Sequence, residues 1–282
     1  MPASGSPTVR RRELGARLRA LRADRRWTVE QVAERLEFSA SKVSRLENGR
    51  RGASARDIRD LCDLYNVQGD QRQQLIDLAE EGKQRAWWQS SELPYRTYVG
   101  LEAEARTIRD FGLGVIPGLL QTADYARAVL TGTHPPLAAD VIEQRLAWRL
   151  ERQHLLLSAD PPQFDAVIDE AVLHRIGGSH AIMRVQLRHL LTTSELANVT
   201  ISVVPYTAGI LPVPTSKFIL LTFREPAVPP VAFIEGPTNN FYLGPADGLP
   251  DYEQAFVATK AMAASPARSR QIIAAIAADL ED

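Results

Sequence analysis

Three carboxylates stand close together in the middle of the chain, at Asp165, Asp169 and Glu170. They follow a predicted β-strand, and a nuclease or hydrolase can gather carboxylates at such a strand end to hold a metal ion or to move a proton. Acidic residues at a strand end are also typical of solvated side chains and of pairs with nearby arginines. No HExxH, GxSxG, Walker or GxGxxG motif accompanies them, so we expect no enzyme activity.

The histidines and the single cysteine do not predict a metal site. The chain has five histidines and one cysteine, Cys62. The histidines lack both metalloprotease spacing and cysteine partners, and one cysteine cannot form an internal disulfide. We therefore expect no metal and no cofactor. We interpret Cys62 as a small buried hydrophobic residue, with a redox sensor as the alternative.

Charge is distributed unevenly along the chain. The 282 residues carry a net charge of -1, but residues 1–60 contain 15 Lys and Arg and 8 Asp and Glu. This segment has a charge of +7, so the remainder carries -8. Basic side chains neutralise phosphates and supply most non-specific affinity for DNA. A basic head on an acidic body is typical of a polyanion-binding module with a separate regulatory domain; a solvated basic face without a partner is the alternative.

Length and composition predict a soluble protein of two domains. At about 150 residues per domain, the length suggests two. The composition, with 45% hydrophobic and 24% charged residues, is ordinary for globular proteins. No apolar run approaches the ~18 residues of a membrane-spanning helix, and the first residues lack the apolar stretch of a secretory signal. We therefore expect a cytoplasmic protein without a membrane partner.

Five short helices are predicted in the first eighty residues. Leucines at helical spacing predict an amphipathic, basic first helix over residues 11–24. Thr28 begins a capping-box pattern at the start of a second helix, and Ser39 can cap a third that ends at Asn48 and Gly49. Two more helices follow. Together they predict a five-helix bundle that contains a helix-turn-helix.

The second and third helices resemble the helix-turn-helix of XRE/Cro-type repressors. The resemblance rests on the runs TVEQVAERL at residues 28–36 and SASKVSRLENG at residues 39–49, and it covers about residues 10–80. In such repressors the third helix enters the major groove of DNA. The resemblance therefore implies DNA binding, and a bundle used only for protein interaction is the alternative.

The same resemblance implies roles for individual residues. Ala40, Ser41 and Arg45 fall where the family meets base edges, and the guanidinium of Arg45 can donate two hydrogen bonds to guanine. The positions that contact the sugar-phosphate backbone or frame the groove are Ser39, Lys42, Ser44, Asn48, Arg50 and Arg51. Repressors of this kind also pair an arginine of the first helix with a glutamate near the end of the third, here Arg22 and Glu47.

Two positions depart from the repressor pattern. Glu37 occupies the turn between the second and third helices, where the family has glycine or a small polar residue. This departure predicts a strained or re-aimed turn. Val29 replaces a glutamine that contacts phosphate, which removes one expected contact.

The rest of the chain predicts an α+β domain. Residues 83–100 have no helical period and are rich in turn formers, so we predict domains at 1–82 and 101–282 with a linker at 83–100. Helices are expected at 101–110, 119–130, 137–157, 171–176, 181–196, 252–264 and 268–280, and strands at 164–168, 199–204, 218–223 and 231–235. The expected fold is mainly α with a smaller mixed β-sheet: an N-terminal five-helix bundle of XRE type and a C-terminal α+β domain.

A second resemblance spans nearly the whole chain. The runs VIPGLLQTADYA at 115–126, DEA at 169–171 and FIEG at 233–236 are similar to those of the WhiJ-like regulators of filamentous high-GC bacteria. These regulators join an XRE head to a long C-terminal domain. The resemblance implies a transcriptional regulator encoded beside a small partner protein, in an arrangement likened to antitoxin and toxin.

The C-terminal domain is expected to be a sensor. Six residues in these runs or near them could line a pocket, with aromatic side chains as its walls and polar side chains that hold the ligand or partner. They are Trp87, Trp88, Glu102, Gln121, Tyr125 and Glu170. Each also has a structural interpretation: the tryptophans as a latch between domains, Gln121 as a backbone cap, Tyr125 as core, and Glu102 as a partner of Arg106. The ligand is either a small molecule or the companion protein.

These observations predict a sequence-specific DNA-binding transcriptional regulator whose C-terminal domain senses a small partner protein or a ligand. An antitoxin-like module that neutralises a small companion protein, and binds DNA for autoregulation, is the alternative. One helix-turn-helix reads too few base pairs for genomic specificity. We therefore expect a homodimer on a palindromic operator, with residues 141–155 and the C-terminal helices as candidate interfaces.

Overall fold

The computed structural model describes residues 6–83, 95–132, 136–212, 217–236 and 239–280. Tertiary contacts divide the chain into two compact units, Met1–Glu104 with Phe223–Pro229 and Ala105–Thr222 with Pro230–Asp282. Residues 95–104, which the sequence analysis divided between the linker and the C-terminal domain, group with the first unit. The fold is mainly helical with a smaller mixed sheet, as predicted.

The first unit is a helix bundle. Within the described residues its helices are α1 (Pro7–Asp24), α2 (Val29–Arg35), α3 (Ala40–Glu47), α4 (Ala55–Leu64), α5 (Gly69–Glu81) and α6 (Arg96–Glu102). The first five correspond to the five predicted helices, although α1 begins at Pro7 rather than at residue 11. The helix-turn-helix of α2 and α3 is confirmed.

Side-chain caps begin these two helices where the sequence predicts them. Thr28 Oγ1 accepts a hydrogen bond from Gln31 N at 3.2 Å, and Gln31 Oε1 accepts one from Thr28 N at 2.9 Å. Ser39 Oγ accepts a hydrogen bond from Lys42 N at 3.1 Å. Such caps satisfy N–H groups that have no partner in the first turn of a helix. Both predicted helix starts are confirmed.

A close crossing joins α1 to α3. Leu18 of α1 and Val43 of α3 are buried in one apolar core. A Cβ atom at Gly15 would lie 2.6 Å from the backbone oxygens of both Leu46 and Glu47. Only glycine leaves room for the backbone of α3 at this point, so Gly15 sets how closely the two helices approach.

Cys62 is buried in the same core. Burial raises the pKa of its thiol. A buried thiol that resists deprotonation is a poor nucleophile and a poor target for oxidation. The interpretation of Cys62 as a small hydrophobic residue is confirmed.

The turn between α2 and α3 is strained at Glu37. This residue has a φ of +53°, in the left-handed region that favours glycine. An L-residue there costs about 1–2 kcal/mol through the contact between its Cβ atom and the following carbonyl. The strain predicted from the departure of Glu37 from the repressor pattern is confirmed.

Replacing Glu37 with glycine is expected to raise the free energy of unfolding of the first unit by about 0.5–1 kcal/mol. The gain is smaller than the strain because glycine loses more backbone entropy on folding. Urea denaturation followed by far-UV circular dichroism measures the change in free energy. Glu34→Gly, at an exposed position inside α2, is the control and should lose about 1 kcal/mol. A loss of stability in Glu37→Gly would contradict this account of the turn.

The second unit is built on a six-stranded mixed sheet in the order β3-β2-β1-β4-β5-β6. Its strands are β1 (Ala105–Gly112), β2 (Gln163–Asp169), β3 (Val199–Val204), β4 (Phe218–Phe223), β5 (Val231–Glu235) and β6 (Asn240–Leu243). β1, β2 and β3 pair in parallel, whereas β4, β5 and β6 pair antiparallel. Four of the strands were predicted. β6 was not, because it is short and its strand character depends on pairing with β5.

Helices connect the parallel strands and follow the sheet. They are α7 (Ala123–Thr131), α8 (Ala139–Gln153), α9 (Glu170–His174), α10 (His180–Thr193), α11 (Leu249–Met262) and α12 (Pro266–Asp279). Parallel strands require such crossover connections. None of the helices in the described ranges combines the length and the apolar surface that a bilayer-spanning segment needs.

Two of the predicted helices are wrong in part. Residues 101–110 were expected to form a helix, but α6 ends at Glu102 and β1 begins at Ala105. Leu101, Ala105 and Ile108 have helical spacing, yet β1 lies between β2 and β4, whose hydrogen bonds override that local pattern. The helix expected at 119–130 is a 3₁₀ turn at Gly118–Leu120 followed by α7.

The outer edge of β3 is closed by the segment between α11 and α12. Val203 N donates a hydrogen bond to Ser269 Oγ at 2.9 Å, and Ala264 N donates one to Val203 O at 2.8 Å. Ser269 is fully buried. Backbone groups of an edge strand otherwise form a template for association with another chain. The C-terminal helices therefore protect this edge of the sheet.

Candidate nucleic-acid interface

One row of side chains on α3 faces outward. Val43 and Leu46 are buried in the core, whereas Ser41 and Arg45, one helical turn apart, are exposed. Arg45 Nε donates a hydrogen bond to Ser41 O at 3.1 Å, which aligns the start of the arginine side chain with the helix. Two of the three predicted base-edge residues are thus exposed, and Ala40 is partly buried against the core.

A buried ion pair fixes α3 to α1. Arg22 Nε donates to Glu47 Oε1 at 2.7 Å, and Arg22 Nη2 donates to Glu47 Oε2 at 2.8 Å. Arg22 Nη1 donates to Trp27 O at 2.8 Å. The hydrogen bond that Arg22 donates to Glu47 raises the pKa of Arg22 despite partial burial. The predicted pair is confirmed, and it anchors α3 from the side opposite to Arg45.

The C-terminal end of α3 is held by polar contacts of its own. Asn48 Oδ1 accepts a hydrogen bond from Arg19, and Asn48 Nδ2 donates to Ser44 Oγ at 3.4 Å. Asn48 and Ser44, both predicted to contact the DNA backbone or to frame the groove, therefore contact each other. Their contribution within the unit is to join the end of α3 to α1.

Two exposed arginines follow α3. The backbone N–H groups of Arg50 and Arg51 donate to Arg45 O at 2.9 and 3.2 Å. Gly49 before them has a φ of +64°, and a Cβ atom there would lie 2.8 Å from Arg12 Cα. Gly49 therefore permits the turn that brings both arginines next to the end of α3, as a backbone-contacting role requires.

Lys42 has partners inside the unit. Its Nζ atom lies 2.6 Å from Asp57 Oδ1 and 3.2 Å from the centroid of the Phe38 ring. Burial would raise the pKa of the Asp57 carboxyl, but hydrogen bonds from Lys42 and Ser54 outweigh it and lower the pKa below its ordinary value of 3.8. The ammonium group that the sequence analysis assigned to the DNA backbone thus belongs to an ion pair between α3 and α4.

Replacing Lys42 with methionine is expected to lower the free energy of unfolding by about 1–3 kcal/mol at pH 7, because Asp57 loses its charged partner. The pKa of Asp57 is lowered in the folded protein, so the stabilisation is fully present above pH 3.8 and is lost as the pH falls through the folded-state pKa. The difference between the variant and the original chain should therefore shrink in urea titrations at pH 3. A different result would show that Lys42 contacts a DNA phosphate. In that case the slope of log affinity for DNA against log salt concentration would fall in magnitude by about one in Lys42→Met.

Each candidate ligand residue of the C-terminal part that the structure describes has a structural partner. Trp87 and Trp88 lie outside the described residues. Glu102 lies in the first unit, is buried, and accepts a hydrogen bond from Tyr98 OH. The pairing of Glu102 with Arg106 as helix neighbours is wrong, because the helix ends before Arg106.

Gln121 and Tyr125 both fix the segment before α7. Gln121 Nε2 donates to Ile116 O at 2.7 Å, and Gln121 Oε1 accepts from Arg149 at 2.7 Å. Tyr125 OH accepts from Ile116 N at 3.3 Å, and burial raises the pKa of its hydroxyl. Both side chains are buried. The interpretations as a backbone cap and as core describe them correctly.

Two glutamines that the sequence analysis did not select complete this arrangement. Gln186 is fully buried; its Nε2 donates to Leu120 O and its Oε1 accepts from Thr122 N, both at 2.7 Å. Gln153 Nε2 donates to Gln121 O at 2.7 Å. Gln186 lies beside the apolar Met183, Leu187 and Leu190 on the buried face of α10, and a polar residue at that position was the signal available in the sequence.

The three carboxylates of the second unit each have a structural partner. Glu170 Oε2 accepts from Tyr206 N at 2.7 Å, Asp169 Oδ1 accepts from Ala171 N at 2.7 Å, and Asp165 pairs with Lys260. Among the described residues, no group of three or more His, Cys, Asp or Glu is arranged to hold a metal ion. Glu170 joins the end of β2 to the residues after β3.

Two family models match the chain. A helix-turn-helix domain matches residues 13–75, and a domain of unknown function, DUF5753, matches residues 95–275. No curated protein and no solved structure matches it. The first match supports a DNA-binding regulator. Because the second match spans more than half of its length, the chain belongs to the DUF5753 family and carries a helix-turn-helix domain on the N-terminal side.

Proposed function

We propose that this protein is a sequence-specific transcriptional regulator that reads base edges with α3. The observation that carries the proposal is the outward row of Ser41 and Arg45 on a helix whose opposite side is fixed by Glu47 and Arg22. A recognition helix must be held rigidly because a bidentate arginine contact to guanine requires correct direction as well as distance. The resemblance of the sequence to XRE/Cro-type repressors supports the same role for α3, because the third helix of those repressors enters the major groove.

Charge supports the same proposal. Residues 1–60 carry +7, and the exposed Arg45, Arg50 and Arg51 stand on α3 or directly after it. Such side chains neutralise phosphates on either side of the base contacts, which positions a protein on the duplex without reading its sequence. Arg45 is assigned to recognition and the two following arginines to the backbone.

The second unit is proposed to regulate the first. The sequence resemblance to WhiJ-like regulators favours a small protein encoded nearby as the signal, and an acidic body is suited to a basic partner. We assign no catalysis to this unit, since Asp165, Asp169 and Glu170 each make a structural contact. A homodimer on a palindromic operator belongs to the same proposal, because two recognition helices give enough base contacts for specificity.

Fluorescence anisotropy tests the proposal. The full chain is titrated with a duplex from the region upstream of its own gene and with a scrambled duplex, at three salt concentrations. We expect the first to bind roughly 10³-fold more tightly. Equal affinity for the two duplexes, or no binding to either, would overturn the assignment of α3 as a sequence reader. Repeating the titration with the purified neighbouring protein then tests the second unit, for which a change in affinity is expected.

A further inference from the structure

A cavity of about 470 Å³ lies within the first unit, beside the residues that follow α3. Its described lining consists of three cationic residues, two threonines and two glycines. The cations are Arg11 of α1, Lys83 after α5 and Arg96 at the start of α6. Three separate segments of the chain thus bring positive charge to one concave surface.

The electrostatics of this cavity favour an anion. The described residues that line it include no aspartate or glutamate. The side chains of Thr8 and Thr97 add hydroxyl groups that can donate hydrogen bonds. The guanidinium group of Arg11 and the ammonium group of Lys83 repel each other across this concave surface, and an anion between them relieves that repulsion. A concave surface lined by one sign of charge also concentrates counter-ions.

Gly82 makes room for Arg11. A Cβ atom at Gly82 would lie 2.9 Å from Arg11 Cγ. Arg11 Nε donates to Pro7 O at 3.1 Å, which sets the direction of the guanidinium group. Burial lowers the pKa of Arg11, as expected for a cation that has lost water without gaining an equivalent anion.

We propose that this cavity binds a phosphate group. The guanidinium group of Arg11 donates in the fork geometry that suits phosphate oxygens, and the ammonium group of Lys83 adds a point charge. The cavity is larger than one phosphate, so the group is carried by a larger molecule. Two sources have this chemistry, a free phosphorylated small molecule and the backbone of bound DNA.

The position of the cavity gives phosphate binding a consequence for DNA. Gly52 in its wall directly follows Arg50 and Arg51 in the chain. A free phosphorylated ligand would reduce the positive potential at these arginines and weaken DNA binding. A DNA phosphate in the cavity would add a contact beyond α3. This consequence depends on the proposed function, whereas phosphate binding itself does not.

Isothermal titration calorimetry of the full chain tests the first source. Inorganic phosphate and pyrophosphate are titrated at constant ionic strength, with chloride as the reference anion. We expect saturable binding at one site per chain that Arg11→Gln or Lys83→Gln weakens at least about tenfold. Arg59→Gln is the matched control, since it removes the same charge from the exposed face of α4 and should leave binding unchanged.

Gly82→Ala is a second, independent variant. Gly82 has a φ of -63°, which alanine adopts, and the nearest atom to the added Cβ is Arg11 Cγ at 2.9 Å, followed by the backbone oxygen of Leu78 at 3.1 Å. Thermal unfolding followed by circular dichroism should show little change, whereas phosphate binding should weaken. Loss of binding with a retained fold would support the role of Arg11 without removing its charge.

DNA titrations distinguish the second source. If free phosphate and pyrophosphate do not bind, Arg11→Gln should weaken operator and scrambled duplex alike and lower the salt slope by about one, while Arg59→Gln does not. That result assigns the cavity to a DNA phosphate. Two results together overturn the proposal. The first is that calorimetry shows either no phosphate binding or binding that Arg11→Gln does not weaken, and the second is that Arg11→Gln leaves the salt slope of DNA binding unchanged. Should DNA fail to bind at all, the calorimetric result still decides whether the cavity takes phosphate.

Discussion

Replacing Glu47 with alanine is expected to lower the free energy of unfolding of the first unit by about 3 kcal/mol. The change leaves the Arg22 guanidinium without its carboxylate in a largely buried position. Removing one partner of a buried pair costs about 3–5 kcal/mol, and the low end applies because 18% of the Arg22 side chain is exposed. Operator affinity should fall as well, because α3 loses its anchor to α1. Urea denaturation followed by far-UV circular dichroism measures the stability.

Two controls identify the cause of this loss. The double variant Arg22→Met with Glu47→Leu removes both charges and should recover most of the stability, because no buried charge is left unpaired. Asp60→Ala breaks an ion pair whose Arg56 side chain is 90% exposed and should lose less than about 1 kcal/mol. Equal losses in Glu47→Ala and Asp60→Ala would show that the Arg22–Glu47 pair does not anchor α3.

Replacing Arg45 with alanine is expected to weaken operator binding by about 5- to 150-fold, which corresponds to the 1–3 kcal/mol of discrimination of a bidentate base contact. Binding to a scrambled duplex should change much less. Stability should be retained, because the side chain is exposed and donates a hydrogen bond to the backbone of its own helix. Anisotropy titrations on the operator and on scrambled DNA measure both quantities.

Arg59→Ala is the control for charge. It removes an exposed arginine of the same unit, so it reports what one positive charge contributes without base recognition. An operator carrying a changed base pair at the contacted position should bind Arg45→Ala and the original chain with similar affinity. If Arg45→Ala lost equal affinity on operator and scrambled DNA, Arg45 would be a phosphate contact, and another residue of α3 would be the reader.

Much of the first unit could be predicted because its signals are local. The caps at Thr28 and Ser39, the buried positions of α3 and the strain at Glu37 each depend on residues within a few positions of one another. Helix formation is decided over such short distances. The exposed positions of Ser41 and Arg45 follow from the same periodicity.

The long-range pairs could not be predicted in this way. Lys42 and Asp57 stand fifteen positions apart and meet only because α3 packs against α4. Gln186 meets Leu120 across 66 positions, and nothing in either neighbourhood specifies the other. Glu170 likewise meets Tyr206 across 36 positions, so its chemistry was visible in the sequence but its partner was not.

The sequence by itself determined the basic head, the helix-turn-helix with its caps, and most strands of the sheet, since charge and periodicity are properties of the order of residues. The tertiary structure decided that Ala105–Gly112 is a strand, because its hydrogen-bond partners lie more than fifty residues away in β2. It also placed Lys42 against Asp57 and brought Arg11, Lys83 and Arg96 around one cavity. Ion pairs and binding cavities depend on distances across the fold, and only packing sets those distances.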